Sequence, residues 1–180
     1  MNDHATTLSP ARRLALDILL DVGRRDAFAR DVMNANTLLK NLDERDAGFT
    51  RRLVLGVTAT SGCLDDFLQQ CSDPKTRFNP RVRCALRIAL FELLYLDAPA
   101  NVAVSQGVEL VRSQSRGAAG LANAVLHRAV SNRSSFRDAE GVDPVHARIV
   151  SLARTSGTPV WLARRIEDSL GQDAARDVFA

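Results

Sequence analysis

The stretch that most constrains the fold is the run from Val82 to Leu96, which carries apolar residues on nearly every side of a helix. Asn79 and Pro80 precede it and predict a helix start, because asparagine caps free backbone amides and proline is tolerated at the first helical position. A helix that is apolar all round belongs in the middle of a bundle, where other helices cover it. The sequence therefore predicts a helical protein built around this segment.

Amphipathic helices are predicted on both sides of the central one, and no run alternates apolar and polar residues as a strand would. Ser9 and Pro10 repeat the cap-plus-proline start, and an apolar stripe continues until Gly23, where we expect the first helix to stop. In the second helix, Phe28, Val32 and Leu39 are expected to face inward. We predict an all-α, compact bundle over residues 8–133, with helices at 10–22, 27–39, 43–57, 64–71, 82–96, 100–112 and 118–130.

The composition changes after this bundle. Residues 131–141 are polar and charged, which is typical of a linker, and two more helices are predicted at 144–154 and 159–170. The chain reaches Ala180 shortly after a new helical pattern begins, and domains rarely end in this way. We therefore predict a domain at 1–133, followed at 134–180 by a short helical linker that leads to a further domain absent from this chain.

Composition excludes several classes of protein. Hydrophobic residues make up 46% of the 180 residues and charged residues 25%, which is typical of globular rather than disordered proteins. No apolar run approaches the ~18 residues that span a bilayer. The N-terminus lacks the charged-then-apolar order of a secretory signal. We therefore predict a cytoplasmic protein without a membrane partner.

No catalytic or metal-binding pattern is found in the chain. Asp65 and Asp66 are neighbours in a helix and point about 100° apart, so they are interpreted as solvent-facing acids. Residues 117–120 (GAAG) come after no strand, which excludes a phosphate-binding fingerprint and favours a helix–helix turn that needs small residues. The cysteines lack metal-ligand spacing and are predicted to be buried thiols: Cys63, Cys71 and Cys84. We expect no catalytic residue, metal or cofactor in this chain alone.

Basic residues indicate the function more clearly than any catalytic pattern does. Arginine accounts for 22 of the 24 basic residues, and residues 76–135 carry eight basic residues against three acids, a local charge of +5. The guanidinium fork suits phosphate groups and base edges. The alternative is a solvated outer face of the bundle, which would show the same pattern. The candidate phosphate-binding residues are Arg12, Arg13, Arg83, Arg87, Arg112, Arg116 and Arg128.

Five blocks of sequence lie in order over residues 11–128: 12–19 (RRLALDIL), 42–46 (LDERD), 86–93 (LRIALFEL), 102–110 (VAVSQGVEL) and 121–126 (LANAVL). Together they resemble the NusB family of RNA-binding helical proteins. The resemblance implies a NusB-like bundle with RNA as its partner. It also implies RNA contacts at the arginine-rich first helix and at the start of the last one, here Arg12, Arg13, Arg116 and Asn123. The chain departs from the family at Ser105 and Gln106, where an Asn-Glu pair is usual.

Two branches of this family differ in the sequence after the bundle. Free NusB, a transcription antitermination factor that binds RNA with a ribosomal protein, ends soon after the LANAVL block. This chain continues with residues 159–165 (PVWLARR), which look like the linker ahead of the catalytic domain in RsmB (Sun/Fmu) ribosomal RNA cytosine-5 methyltransferases. We therefore expect an RNA-binding domain that positions ribosomal RNA for a methyltransferase domain joined in cis.

The catalytic equipment of such an enzyme is not in this chain. The family's nucleophilic cysteine comes directly after a proline, which none of the three cysteines does, and the glycine-rich loop that would hold S-adenosylmethionine is also missing. The resemblance thus assigns S-adenosylmethionine to the absent domain. Two alternatives stay open: a free NusB-type factor with a ribosomal-protein partner, and a helical protein-interaction module.

Overall fold

The computed structural model describes residues 7–138 and 144–179, and the regular elements in these residues are helices, which confirms the predicted all-α fold. The bundle helices are α1 Pro10–Arg25, α2 Ala29–Ala35, α3 Thr37–Asn41, α4 Glu44–Gln70, α5 Pro80–Tyr95, α6 Ala100–Gln114 and α7 Ala119–Ser131. A 3₁₀ turn, Arg116–Ala118, precedes α7. The later helices are α8 Ser135–Asp138, α9 Pro144–Ser156, α10 Val160–Leu170 and α11 Gln172–Val178.

Helix α5 lies at the centre of the bundle, as its sequence predicts. Eleven of its 16 residues are buried, and Leu86, Ile88 and Leu90 are completely enclosed. It packs against α1, α4, α6 and α7. Because burying one such side chain stabilises a fold by about 1.5–3 kcal/mol, α5 supplies a large share of the core energy.

Helix α4 is continuous where the sequence predicts two helices, at 43–57 and 64–71. Most of the residues between them are weak helix formers: two threonines, a serine and a glycine. However, Thr58 and Thr60 donate their hydroxyls to the carbonyls four residues earlier, at 2.7 and 2.8 Å. These bonds satisfy the side chains within the helix, and Thr60 is also buried against the core. Tertiary packing therefore overrides the weak local propensity.

Three predictions about the first helices are wrong. Helix α1 passes Gly23 and continues to Arg25, and Asp26 ends it in the left-handed conformation, with φ at 50°. Aspartate tolerates this conformation better than most residues. The predicted helix 27–39 is broken at Asn36, whose side-chain oxygen accepts a backbone N–H of α3 at 2.9 Å. Phe28 is 83% exposed, because it lies at the N-cap of α2 and not on the helix's buried face.

Helices α4 and α6 approach α5 closely at two glycines. A Cβ atom added to Gly107 would lie 2.6 Å from the Cβ of Ala89 and 2.8 Å from a methyl group of Leu126. A Cβ atom added to Gly56 would lie 2.0 Å from the Phe91 ring. Both separations are far below van der Waals contact, so the absence of a side chain sets the spacing of these helices.

We expect Gly107→Ala to lower the free energy of unfolding by about 1–3 kcal/mol, since overpacking a filled core carries this cost. The clashing Cβ of Ala89 is attached to the backbone of α5 and cannot rotate away. The matched control is Gly62→Ala on α4, where nothing lies within 4 Å of the added atom. There the better helix propensity of alanine should stabilise the protein by about 0.5–1 kcal/mol. Urea unfolding measures both, and equal changes would contradict the close approach.

The C-terminal helices pack on the bundle through Phe136 of α8 and Arg154 of α9. Phe136 is 1% exposed and meets the rings of Phe67 and Tyr95 edge-on, with centroids 5.1 and 5.7 Å apart. Arg154 donates to the Phe136 carbonyl at 2.8 Å, and burial lowers the pKa of its guanidinium below the ordinary value. The buried core thus continues across the predicted boundary between residues 133 and 134. The functional division at that point stays a prediction.

Candidate nucleic-acid interface

The start of α1 is held by side chains from two neighbouring helices. Gln106 of α6 accepts the Ser9 backbone N–H at 3.0 Å and donates to the Thr7 carbonyl at 3.1 Å. Thr50 of α4 donates its hydroxyl to the Ala11 carbonyl at 3.2 Å. The position of the first turn is therefore fixed relative to both α4 and α6.

Arg12, named from the sequence as a candidate phosphate-binding residue and so expected to be an exposed charge, instead faces the interior. Its guanidinium binds both carboxylate oxygens of Glu92 on α5, with Nε 2.9 Å from Oε1, and lies 5.0 Å from the centre of the Phe49 ring. The side chains of Arg12 and Glu92 are 14% and 3% exposed. A cation held in this way compensates a buried carboxylate. Its contact with RNA stays a prediction.

Arg13, the next residue, is the exposed cation at this end of α1. Its backbone N–H donates to the Ser9 carbonyl at 3.0 Å, which is the first hydrogen bond of the helix. Burial raises the pKa of Asp17, one turn further on, while the positive charge of Arg13 opposes this rise and Asp21 adds to it. Arg13 forms no ion pair with a carboxylate in the described part of the chain, so its guanidinium is available to an anion.

The start of α7 is also open. Arg116 is exposed in the 3₁₀ turn ahead of the helix and pairs with no carboxylate among the described residues. No side chain caps α7 at Ala118 and no acidic residue lies in its first turn, while the 3₁₀ turn accepts the N–H groups of Ala118 and Ala119. A Cβ atom added to Gly117 or Gly120 would meet nothing within 4 Å. Residues 117–120 do lie at a turn between two helices, as predicted, but close packing does not require the two glycines, which instead leave the backbone accessible.

A cleft of about 440 Å³ runs between α6 and α7, and the predicted site residue Asn123 lines it. From the sequence alone, the Asn123 amide could equally bind a neighbouring backbone and hold α7 in place. Asn123 is exposed and makes no hydrogen bond to a described residue, which disfavours this structural role. Sequence reasoning missed the other polar residues of the cleft. Three of them come from α6 and one from α7: Asn101, Ser105, Glu109 and His127. The three on α6 recur at every fourth position, and this spacing would have indicated that they share one face of the helix.

Two more of the predicted arginines, besides Arg12, are held in ion pairs. Arg87 binds Asp65 on α4, and Arg112 binds Glu109 one turn earlier on α6. The hydrogen bond to Asp65 raises the pKa of Arg87 above its ordinary value. Asp65, predicted to face solvent, is therefore a partly buried partner in a helix–helix contact. Because both guanidinium groups already bind carboxylates, they are less free to bind phosphate. Contacts of Arg87 and Arg112 with RNA stay predictions.

Arg83 and Arg128 lie near the C-terminal end of α4. Arg83 lines a recess with Gln69, and Arg128 donates to the Cys71 carbonyl at 3.5 Å. Arg13, in contrast, lies near the N-terminal end of α4, because Thr50 of α4 contacts the Ala11 carbonyl in the first turn of α1. Thr50 and Gln69 are about 28 Å apart along α4 at 1.5 Å per residue. The structure therefore divides the predicted arginines between two regions and does not gather them into one cluster.

The three thiols offer no reactive site. Cys63, Cys71 and Cys84 are buried, as predicted, and burial raises the pKa of each, that of Cys84 to about 11. Across residues 7–138 and 144–179, no group of three His, Cys, Asp or Glu side chains is placed to hold a metal ion. None of the described helices is long and apolar enough to cross a membrane.

The fold and the surface define a class of protein: an all-α bundle that offers exposed arginines and an uncapped helix start to an anionic partner. The chain belongs to the NusB family, whose model matches residues 9–131. This range ends at the last residue of α7, so the family model covers the bundle without α8 to α11.

Three relatives show how the similarity is distributed. The chain is 32% identical to the probable ribosomal RNA small subunit methyltransferase B of Synechocystis, over 94% of this chain and 38% of that protein. It is 26% identical to the protein of the same description from Bacillus subtilis, over 93% and 37%. The transcription antitermination protein NusB of Pseudarthrobacter chlorophenolicus is 36% identical, over 58% and 78%. The chain thus spans little more than a third of the length of these methyltransferase relatives.

Proposed function

We propose that this chain is the RNA-binding part of a ribosomal RNA methyltransferase of the RsmB type, acting in the cytoplasm. The observation that carries the proposal is the extent of the similarity. The relatives named methyltransferase B match 93–94% of the chain and so reach into the C-terminal helices. The relatives named NusB match 57–69% of it. A free NusB-type antitermination factor is therefore the second candidate.

The RNA contacts proposed first are Arg13 and Arg116. Both are exposed cations, and an arginine guanidinium binds phosphate through two parallel hydrogen bonds. Gln106, which holds the start of α1, and Gln114, the last residue of α6, are about 12 Å apart along the helix. We propose that Arg13 and Arg116 bind phosphates of the same RNA strand.

The start of α7 adds a second kind of contact. Helix N-termini bind phosphate through backbone amides and the positive end of the dipole. Gly117 and Gly120 leave room for a phosphate to approach the backbone, because neither carries a side chain. Asn123 lies one turn further on, where its free amide is able to donate to or accept from a base edge. Arg116, the helix start and Asn123 together form the proposed centre of the RNA surface.

Catalysis is proposed to belong to a separate domain joined in cis. No strand forms within the described ranges, so they do not fit the strand–glycine loop–helix arrangement that holds nucleotide-like cofactors. We therefore assign no step through S-adenosylmethionine to residues of this chain. Its proposed contribution is to hold ribosomal RNA so that the target cytosine reaches the catalytic domain.

The test is RNA binding by Arg13→Ala and Arg116→Ala, measured by fluorescence anisotropy with transcribed fragments of small-subunit ribosomal RNA. Each variant should bind about threefold to tenfold more weakly, and the log–log salt slope should fall by about 0.7 for each phosphate interaction removed. The melting temperature should hardly change, because both side chains are exposed.

The control for charge is Arg176→Ala on α11, which removes an exposed cation outside the proposed surface. It should bind RNA as the unmodified chain does. If all three variants bind equally well, the RNA surface lies elsewhere. A dependence on an added ribosomal protein for any RNA binding would favour the free antitermination factor instead.

A further inference from the structure

Gln106 is a buried polar side chain whose amide acts both as a hydrogen-bond acceptor and as a hydrogen-bond donor. It is 7% exposed. Its Oε1 accepts the backbone N–H of Ser9, and its Nε2 donates to the carbonyl of Thr7. A carboxamide can accept and donate at the same time, whereas an ionised carboxylate can only accept. The two bonds join α6 to the segment that leads into α1, across sequence separations of 97 and 99 residues.

These bonds continue to Arg13 through the backbone. Ser9 presents its N–H to Gln106 and its carbonyl to the N–H of Arg13, at 3.0 Å in both cases. The Ser9 side chain makes no capping bond of its own. Gln106 therefore stabilises the helix start in place of a side-chain cap, and it sets where the Cα atom of Arg13 lies relative to α6.

We propose that Gln106 is a positioning residue for RNA binding: by holding the start of α1, it fixes the backbone that carries Arg13 relative to α6. The inference rests on the proposed function, in which Arg13 contacts RNA. A cation on an ordered first turn binds more tightly than one on a frayed turn, because the free protein has already lost the conformational freedom that binding would otherwise remove.

The experiment is a double-mutant cycle on the full 180-residue chain, with the same ribosomal RNA fragments as probe. Gln106→Met keeps the length of the side chain and removes both hydrogen-bonding functions. We expect it to weaken RNA binding by about threefold to tenfold. Combined with Arg13→Ala it should weaken binding little further, since the positioned group is already gone. Combined with Arg116→Ala the two effects on affinity should multiply.

A purely structural role for Gln106 gives a different pattern. It would lower the melting temperature, leave RNA affinity unchanged well below that temperature, and show no selective coupling to Arg13. Effects that multiply equally with both arginine variants would also overturn the proposal. The control is Ser72→Ala, because Ser72 is also buried and its hydroxyl donates to the Leu68 carbonyl, at the end of α4 away from the start of α1. This variant should leave RNA affinity unchanged.

Gln106→Glu provides a second variant in case Gln106→Met does not fold. Its carboxylate can still accept the Ser9 N–H but cannot donate to the Thr7 carbonyl when ionised, so an intermediate weakening of RNA binding is expected. Failure of the unmodified chain to bind RNA would overturn the proposed function together with this inference. RNA binding that needs Arg13 but tolerates both Gln106 variants would overturn this inference alone.

Discussion

Arg12→Ala is expected to lower the free energy of unfolding by about 3–5 kcal/mol, the usual cost of leaving one partner of a buried ion pair uncompensated. Glu92 is 3% exposed and lies within the central helix α5, so the variant removes the cation that compensates a buried carboxylate. The variant also loses the contact between Arg12 and the Phe49 ring. Urea unfolding followed by far-ultraviolet circular dichroism measures the change.

The control is Arg24→Ala, which breaks an ion pair with Asp21 on the surface of the same helix. These side chains are 70% and 33% exposed, and exposed pairs contribute about 0–1 kcal/mol. A similarly small effect of Arg12→Ala would show that the pair with Glu92 is solvated in solution. If Arg12→Ala strongly lowers the free energy of unfolding, weaker RNA binding by this variant would reflect partial unfolding as well as the loss of a direct RNA contact.

Phe136→Ala is expected to cost about 3–5 kcal/mol, as for other fully buried aromatic residues. The ring packs against Phe67, Tyr95 and Arg154, so its truncation removes all three ring contacts at once. Phe136 comes after the predicted boundary at residue 133, so the effect measures how far the C-terminal helices stabilise the bundle. Thermal and urea unfolding should both report one transition.

The matched control is Trp161→Ala on α10, which removes a larger aromatic side chain that is 70% exposed. Its effect should stay within about 0.5 kcal/mol, as is usual for surface positions. Equal effects of the two variants, or a separate early transition for the C-terminal helices, would contradict a shared core and support an independent linker.

The parts of the fold that sequence reasoning predicts well are those determined by local pattern. The central position of α5 follows from its all-round apolar composition, and Asn79 caps it as expected, accepting the Arg81 N–H at 2.9 Å. The burial of the thiols follows from composition in the same way. The bounds of α1 and α4 are less predictable, because Asp26 and not Gly23 ends one helix, and tertiary packing carries the other past its weak residues.

The candidate site is harder to predict, because contacts with residues far away in the sequence determine which of its side chains are buried and which are exposed. Arg12 and Arg13 are adjacent and identical in type, yet one is largely buried and the other exposed. The difference arises because Arg12 binds Glu92 and Arg13 does not. Glu92 lies 80 residues away from Arg12 in the sequence, so no local pattern predicts their ion pair. Gln106 stands out in the sequence only as a departure from the family pattern, since its partners are backbone groups in another part of the chain.

The buried thiols make this chain convenient for site-specific labelling. All three sulfur atoms are enclosed, and the pKa of Cys84 is raised to about 11, so maleimides at neutral pH should spare the native cysteines. A cysteine introduced at Gly117 would stand in open space beside Arg116. A fluorophore attached there would report on the start of α7 without first requiring a cysteine-free variant.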